Sequence, residues 1–434
     1  MLSAYTSCLS VAPGVSALLN NLVFSPVFLP DTDAQRILAG GACSKEVEES
    51  LRAAGVLVDD ESADARALGR LREDVNTQSN IPRILYLVLT TQCNLACSYC
   101  FIQESPLSTL PQQHMSFSTA ARAVDVFIKQ SDDPCQRNFF LYGGEPTLNR
   151  KLFEEIVHYI KKESPESTIS VVTNGTLIDE HLVRIFKEGG VSVGISLDGP
   201  KDINDLHRTF RSGARSVYNR VAKSIELLRE HGVPFGISLT VSEAVLDHQD
   251  EVLEWLLVNH LNPFLNPMHF TMKDDAWASK YSAMSDFMLR VARELPRYGA
   301  AEGRLADTLA VLSSGRIKHQ GCGALGRNQI AVRPNGDVGV CHGDSQSESG
   351  VLWNIEDPPI DPFAHAEEYW QTMLPVNQEA CLKCEAFTVC GGGCPLQAEA
   401  LFGSRSSIDL ALCIYNRKVA AFLLEELYLL QERR

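Results

Sequence analysis

A chain of 434 residues has room for two or three domains, and 45% hydrophobic with 21% charged residues is an ordinary globular mixture able to bury a full core. A formal net charge of -15 and a pI near 5.2 set the molecule against nucleic acid and anionic membrane surfaces, which would repel it at long range. The partner expected is a small molecule, a peptide or a protein. No run of about twenty apolar residues is present to span a bilayer, and the N-terminus lacks the basic stretch of a signal peptide, so a cytoplasmic location is expected. Thirteen cysteines in a reducing compartment read as metal ligands or redox groups rather than as structural disulfides.

In chain order, residues 1–80 form a separable unit. Apolar stretches Ala17 to Val23 and Val27 to Leu29, broken at Ser25-Pro26, predict a hairpin. Asp31-Thr32-Asp33 can cap a helix through Leu38, Ser44 precedes a second over Lys45 to Ala54, and Gly55 stops it before the strand-like Val56-Leu57-Val58. The polar stretch Asp59 to Ser79 reads as a linker with helical content.

From residue 81 to 317, strand-like runs alternate with amphipathic helical stretches, the pattern of βα units building a parallel sheet. The strands predicted are Ile84 to Leu89, Asn138 to Tyr142, Ile169 to Thr173, Val191 to Leu197, Phe235 to Val241 and Phe264 to Phe270. The helices between and after them are Thr119 to Gln130, Lys151 to Glu163, Asp179 to Glu188, Val217 to Glu230, Glu251 to Val258 and Lys280 to Glu294. Six such units make a partial barrel, whose chemistry is expected at the C-terminal strand ends. Residues 318–434 turn Gly- and Cys-rich, with a hairpin over Gln329 to Val332 and Val338 to Val340 and a closing helix from Ile414 to Glu432.

Directly after the first strand of the barrel comes Thr91-Gln92-Cys93-Asn94-Leu95-Ala96-Cys97-Ser98-Tyr99-Cys100, a C-x3-C-x2-C spacing. Three thiolates on one loop suit a 4Fe-4S cube with one iron left free for a substrate or cofactor. Zinc is the other metal to weigh, though its structural sites call for four ligands. Gly143-Gly144-Glu145-Pro146 follows the second strand, offering unobstructed backbone and a carboxylate suited to a cationic amine. Thr173-Asn174-Gly175 ends the third strand and Ser196-Leu197-Asp198-Gly199 the fourth, so both put polar groups on the same rim.

Together these segments resemble the radical S-adenosylmethionine (SAM) superfamily. The resemblance implies that Cys93, Cys97 and Cys100 hold a 4Fe-4S cluster whose open iron chelates SAM. It implies cofactor contacts from Tyr99, Gly143, Gly144, Glu145, Thr173, Asn174, Ser196 and Asp198, with Arg208 meeting the methionine carboxylate as in sulfatase-maturing enzymes. An electron from a donor such as flavodoxin or ferredoxin would then cleave SAM to a 5'-deoxyadenosyl radical that abstracts hydrogen from an unactivated carbon.

The last region carries Cys322, Cys341, Cys381-x2-Cys384-x5-Cys390-x3-Cys394 and Cys413, too many cysteines for one metal site. This stretch resembles the SPASM extension of radical SAM enzymes, which implies two further 4Fe-4S clusters, three in all. Cys381, Cys384, Cys390 and Cys413 would hold the outer one. Cys322, Cys341 and Cys394 would hold the inner one, with its fourth ligand open: water, a substrate thiolate, or a residue such as Cys135. A pair of zinc sites is the alternative for thiolate-rich knuckles. His342 and Asp344, just after Cys341, are candidate catalytic bases, or caps of the hairpin. Sulfatase-maturing relatives place an aspartate where this chain has His342.

The N-terminal unit resembles the winged-helix-like recognition domain of ribosomal-peptide maturases, which binds a leader peptide by strand addition. The expected enzyme is an oxidoreductase that modifies a leader-bearing precursor peptide, installing a C-C or thioether crosslink or a related oxidation. The alternatives are an anaerobic sulfatase maturase, forming formylglycine, and a non-enzymatic iron-sulfur electron carrier.

Overall fold

The computed structural model describes residues 1–77, 81–100, 113–131, 133–213, 216–269, 276–314, 316–318, 321–344, 350–357 and 373–433. Its first unit is larger than the hairpin expected from the sequence. Strands β1 (Thr6–Ala12), β2 (Val15–Asn20) and β3 (Val23–Pro30) form an antiparallel sheet in the order β1-β2-β3. The reversal falls at Asn21-Leu22, and Ser25-Pro26 lies inside β3, where the register slips between Leu18 and Asn20. An edge strand tolerates a proline because no partner asks for its missing N–H, and a bulge takes up the mismatch. β1 escapes a pattern search because its alternating Cys8, Ser10 and Thr6 dilute the apolar signal.

Helices α1 (Asp31–Leu38), α2 (Lys45–Ala53) and α3 (Glu61–Thr77) follow, and Ser44 caps α2 by accepting from Val47 N at 3.3 Å. The period of two splits the sheet between two cores. Leu18 and Leu29 face Ala34, Ile37, Leu51 and Val56, whereas Val11, Ala17 and Leu19 pack on Leu424 of the closing helix. Leu22, Leu71 and Val75 join Leu374, Val376, Leu382 and Phe387, so the first unit is bolted to the Cys-rich region.

Six parallel strands follow: β4 (Ile84–Thr90), β5 (Asn138–Gly143), β6 (Thr168–Thr173), β7 (Val191–Ser196), β8 (Phe235–Val241) and β9 (Pro263–Pro267). Between and after them run α4 (Phe117–Gln130), α5 (Arg150–Glu163), α6 (Glu180–Gly189), α7 (Lys201–His207), α8 (Val217–Glu230), α9 (Glu243–Asp247), α10 (Gln249–Val258), α11 (Trp277–Glu294) and α12 (Gly303–Ser313). Leu85, Leu87 and Leu89, with Phe139 and Leu141, point to the helical layer, which supplies Phe127, Phe153 and Phe186. Phe270, expected to end the last strand, lies outside the described residues.

The hairpin β10 (Gln329–Val332) and β11 (Asp337–Gly339), with the short β12 (Trp353–Asn354), does not stand apart. β10 pairs in parallel with β4, from Gln329↔Ile84 to Val332↔Leu87, giving one nine-stranded sheet β12-β11-β10-β4-β5-β6-β7-β8-β9. Because β11 runs antiparallel to β10, the chain leaves Gly339 for Cys341 toward the N-terminal ends of the barrel strands. The sequence boundary at 318 is therefore continuous in hydrogen bonding with the barrel. The closing helix spans Leu410–Glu432, one turn longer at its start than the apolar pattern gives, because Asp409 caps it by accepting from Leu412 N at 3.1 Å. Among the described residues no helix is long and apolar enough to cross a membrane.

Candidate active site

Two glycines seat the cysteine loop. A Cβ on Gly144 would meet Gln92 C at 2.6 Å and Thr91 O at 2.8 Å, and one on Gly143, at φ +143°, would run into Thr90 O. The close approach lets Gly144 N donate to Thr90 O at 2.9 Å and Glu145 N to Gln92 O at 2.8 Å. Strand β5 thus clamps the backbone immediately before Cys93. On the other side, Ala96 N donates to Thr209 O and Ser98 N to His207 O, while Arg211 Nε donates to Cys93 O at 2.9 Å.

Cys93, Cys97 and Cys100 all hang from this loop. Burial pushes the Cys93 thiol up to about 12 and the Cys97 thiol up to about 11, and each thiolate would raise its neighbours further. Leu95 N donates to Cys93 Sγ at 3.4 Å, and the Arg208 guanidinium opposes the upward shift at Cys97. Buried thiols of this kind give up their protons to a cationic centre. Among the described residues no three His, Cys, Asp or Glu side chains gather closely enough to share one ion. Three soft thiol donors carried on one short loop, each able to ligate its own iron, fit an iron-sulfur cluster.

The rim residues expected from the sequence come together here, but several are occupied with each other. Glu145, expected to offer its carboxylate outward, is fully enclosed: Oε1 accepts from Thr147 N at 3.1 Å, Thr147 Oγ1 at 2.6 Å and Thr173 Oγ1 at 2.7 Å, and Oε2 from Asn174 N at 2.6 Å. Burial raises its pKa while those donors pull it down. It ties the end of β5 to that of β6. Asn174 Nδ2 reaches toward Cys93 Sγ at 3.8 Å and donates to Asn94 Oδ1 at 2.8 Å. Ser196 ends β7 opposite Ser238 on the half-buried face.

Asp198 and Arg208 form a buried bidentate pair, Nε to Oδ2 at 2.8 Å and Nη2 to Oδ1 at 3.1 Å. Thr240 N donates to Asp198 Oδ1 at 2.9 Å, and Tyr99 donates its hydroxyl to Oδ2. The phenol is raised well above its usual range, first by burial, with Asp198 adding to the rise.

On the face away from the helices, Tyr86 stacks on Phe140 at 4.9 Å and on His342 at 4.3 Å, and Tyr142 meets His342 edge-on at 4.8 Å. Tyr86 has Cys341 and Cys322 as charged neighbours, and Tyr142 has Cys100 and Cys341. Ala331 aligns with both Tyr86 and Gly339, so Cys341, two residues further on, lies toward the N-terminal ends of the barrel strands, whereas the cysteine loop starts past Thr90 at their C-terminal ends. An aromatic wall separates the two cysteine regions. Among the described residues His342 Nδ1 is buried without a partner, and burial lowers the imidazole to about 4. Asp344 ends a short 3-10 turn, and its side chain lies outside the described residues.

In the C-terminal region Cys390 neighbours Cys381 and Cys384, and Cys413 neighbours Cys390 and Cys384, while Cys394 neighbours Cys322. Burial pushes Cys390, Cys394 and Cys413 up to about 12 and Cys381 up to about 11. Asn416 Nδ2 donates to Cys390 Sγ at 3.2 Å, and Asp409 Oδ2 accepts from Cys394 N at 2.9 Å. Cys135 is exposed and donates to Glu166 Oε2 at 3.4 Å, outside either group. The sequence reading missed Asp409, Asn416 and Asn94, whose roles rest on pairings that no local motif announces.

Residues 87–256 match the Radical SAM superfamily. The chain is 34% identical over 175 residues to an uncharacterized protein of Methanocaldococcus jannaschii, 40% of this chain and 58% of that one, so it spans less than two thirds of that relative. It is 24% identical to the radical SAM cyclopropyl synthase TigE of Paramaledivibacter caminithermalis, over 79% of this chain and 74% of that one. It is 27% identical to a cysteine-type anaerobic sulfatase-maturating enzyme of Clostridium perfringens, over 70% and 85%. Among solved structures it is similar to anSMEcpe with bound AdoMet, TM-score 0.67 at 22% identity over 81% of this chain and 94% of that one. It is also similar to Streptococcus suis SuiB bound to precursor peptide SuiA, TM-score 0.55 at 14% identity over 95% and 99%. The matched segment, the parallel sheet and the clamped cysteine loop agree: residues 87–256 form a domain that matches the Radical SAM superfamily, and the chain is similar to a radical SAM cyclopropyl synthase and to anaerobic sulfatase-maturating enzymes.

Proposed function

We propose that this protein is a peptide maturase that abstracts hydrogen from a ribosomally made precursor and leaves a crosslink or a related oxidation in it. The observation that carries the reading is the N-terminal unit of three strands and three helices in front of the barrel. The SuiB alignment covers 95% of the chain, whereas the anSMEcpe alignment covers 81% and leaves a remainder close in length to that unit. Among the described residues β1 pairs on one side only, while β3 is blunted by Pro26 and Pro30, so β1 is the edge suited to an added peptide strand.

A 4Fe-4S cluster with bound SAM would supply radical chemistry at this site. Cys93, Cys97 and Cys100 would hold that cluster, Gly143 and Gly144 hold the loop, and Arg208 offers a preorganised cation to an anionic ligand group. Cys381, Cys384, Cys390 and Cys413 would hold an outer cluster, and Cys322, Cys341 and Cys394 an inner one. Tyr86, Tyr142, Phe140 and His342 stack into one aromatic cluster between the two cysteine regions. His342, stacked on Tyr86 and with Nδ1 lacking a partner among the described residues, is the candidate acceptor for a proton released on substrate oxidation.

Sulfatase maturation is the second reading, favoured by the Clostridium perfringens relative and the higher TM-score to anSMEcpe. Anaerobically reconstituted protein should be given SAM, a reductant and either a short leader-bearing peptide or a sulfatase-motif peptide. Modification of the leader-bearing peptide, together with 5'-deoxyadenosine, supports the first reading. An aldehyde mass shift confined to the sulfatase peptide replaces it with the second. Equal turnover of a peptide stripped of its leader removes the role given to the N-terminal unit.

A further inference from the structure

Asp198 stands where four elements of the site meet. Its carboxylate accepts two guanidinium bonds from Arg208 at the end of α7, the Tyr99 hydroxyl from the cysteine loop, and Thr240 N from β8. Its own backbone N–H donates to Asn204 Oδ1 at 3.2 Å. The side chain is 3% exposed and its oxygens are saturated by the protein, which leaves no lone pair aimed at a ribose or an amine.

Arg208, by contrast, spends on Asp198 only two of the five N–H donors a guanidinium carries. Its charged carbon lies 5.5 Å from the centre of the Tyr99 ring, and it is a direct neighbour of the Cys97 thiol. A planar cation fixed by a carboxylate at its back presents the donors not taken by Asp198 or the Cys97 thiol without paying rotamer entropy at the moment of binding. The Tyr99 hydroxyl, bonded to the same carboxylate oxygen, makes the residue between Cys97 and Cys100 part of the same unit.

We propose that Asp198 is a positioning residue: it holds Arg208 and Tyr99 against the Cys97 side of the cysteine loop, and it acts on the bound cofactor only through them. This rests on the radical SAM reading of the cysteine loop. The general consequence is energetic coupling, since groups that act as one unit lose their function once rather than twice.

The test is a double-mutant cycle on the reconstituted full-length chain, reading the dissociation constant of SAM at equilibrium and the EPR spectrum of the reduced cluster before and after SAM. Asp198→Asn and Arg208→Met should each weaken SAM binding on the order of tenfold or more. The double variant should be weaker than Arg208→Met alone by no more than the loss seen in Tyr99→Phe, the other residue through which Asp198 acts. Tyr99→Phe, which removes one donor from the carboxylate, should move both readouts in the same direction by less. Losses that multiply in the double variant would mean that Asp198 touches the cofactor itself and would overturn the proposal. If Asp198→Asn does not load iron, the cycle between Tyr99→Phe and Arg208→Met carries the same prediction of non-additivity, and multiplied losses there refute it equally. Wild-type protein that loads iron yet binds no SAM would instead sink the radical SAM reading.

Discussion

Replacing Gly144 with alanine tests the clamp on the cysteine loop. The added methyl would lie 2.6 Å from Gln92 C and 2.8 Å from Thr91 O, both backbone atoms with no rotamer to yield. Relief requires the Thr90 to Gln92 segment to shift, and that segment accepts the bonds from Gly144 N and Glu145 N. Overpacking of this kind costs about 1–3 kcal/mol, and two weakened hydrogen bonds add about 1 kcal/mol each, so a loss of roughly 3–5 kcal/mol is expected if the loop holds its place. If the loop moves instead, the stability loss shrinks and the displacement reaches Cys93. Urea unfolding of the apoprotein and iron content after anaerobic reconstitution separate the two routes. Gly69→Ala is the control: its methyl would have nothing within 4 Å, and in the interior of α3 it should stabilise by about 0.5–1 kcal/mol. Wild-type values for both stability and iron in Gly144→Ala would refute the argument that close backbone approach is what this glycine provides.

Three further outcomes follow from the packing. Leu71→Ala, 8% exposed at the junction of α3 with Leu374, Leu382 and Phe387, should cost about 2–4 kcal/mol and also lower iron loading of the Cys-rich region, which calorimetry and iron analysis would show; a normal iron content would mean the two regions are mechanically independent. Arg137→Met should destabilise by roughly 1–3 kcal/mol in chemical denaturation, because Ile128 O and the Ser131 and Ser164 hydroxyls lose the buried guanidinium that serves them. His342, held near 4 against an ordinary value of about 6.5, is neutral in the folded protein; its contribution is fully present above about 6.5 and is lost as pH falls through about 4. Apoprotein stability should therefore decline over that window, and His342→Phe should flatten the slope; an unchanged slope would place the titrating group elsewhere.

Local chemistry made much of this molecule legible in advance. The six barrel strands and six of the helices around them could be read from the sequence because a parallel sheet buried under helices leaves continuous apolar runs, and the α8 helix ends where its amphipathic pattern does, at Val217 and Glu230, whereas α7, α9 and α12 were not foreseen. The cysteine motif announced itself because thiolates on one short loop have few other uses. Where the reading fell short, the deciding contacts were distant in sequence. Ser25-Pro26 looked like a turn, yet an edge strand absorbed it in a bulge, since only the neighbouring strand determines whether a missing N–H matters. β1 had too little alternation to be seen until Leu424 covered Val11.

Residue types and spacing by themselves determined which groups collect at the site, because strand ends and the loops after them are fixed by local pattern. Only the tertiary structure decided what each group does there. Glu145 and Asp198 carry charge that a sequence assigns to a ligand, but buried carboxylates must find donors wherever the fold supplies them, and here those donors are Thr147, Thr173 and Asn174 for one and Arg208, Tyr99 and Thr240 for the other. The joining of the C-terminal hairpin to β4 was equally beyond local reading, since strand pairing across more than two hundred residues is set by which edges the packed core leaves open.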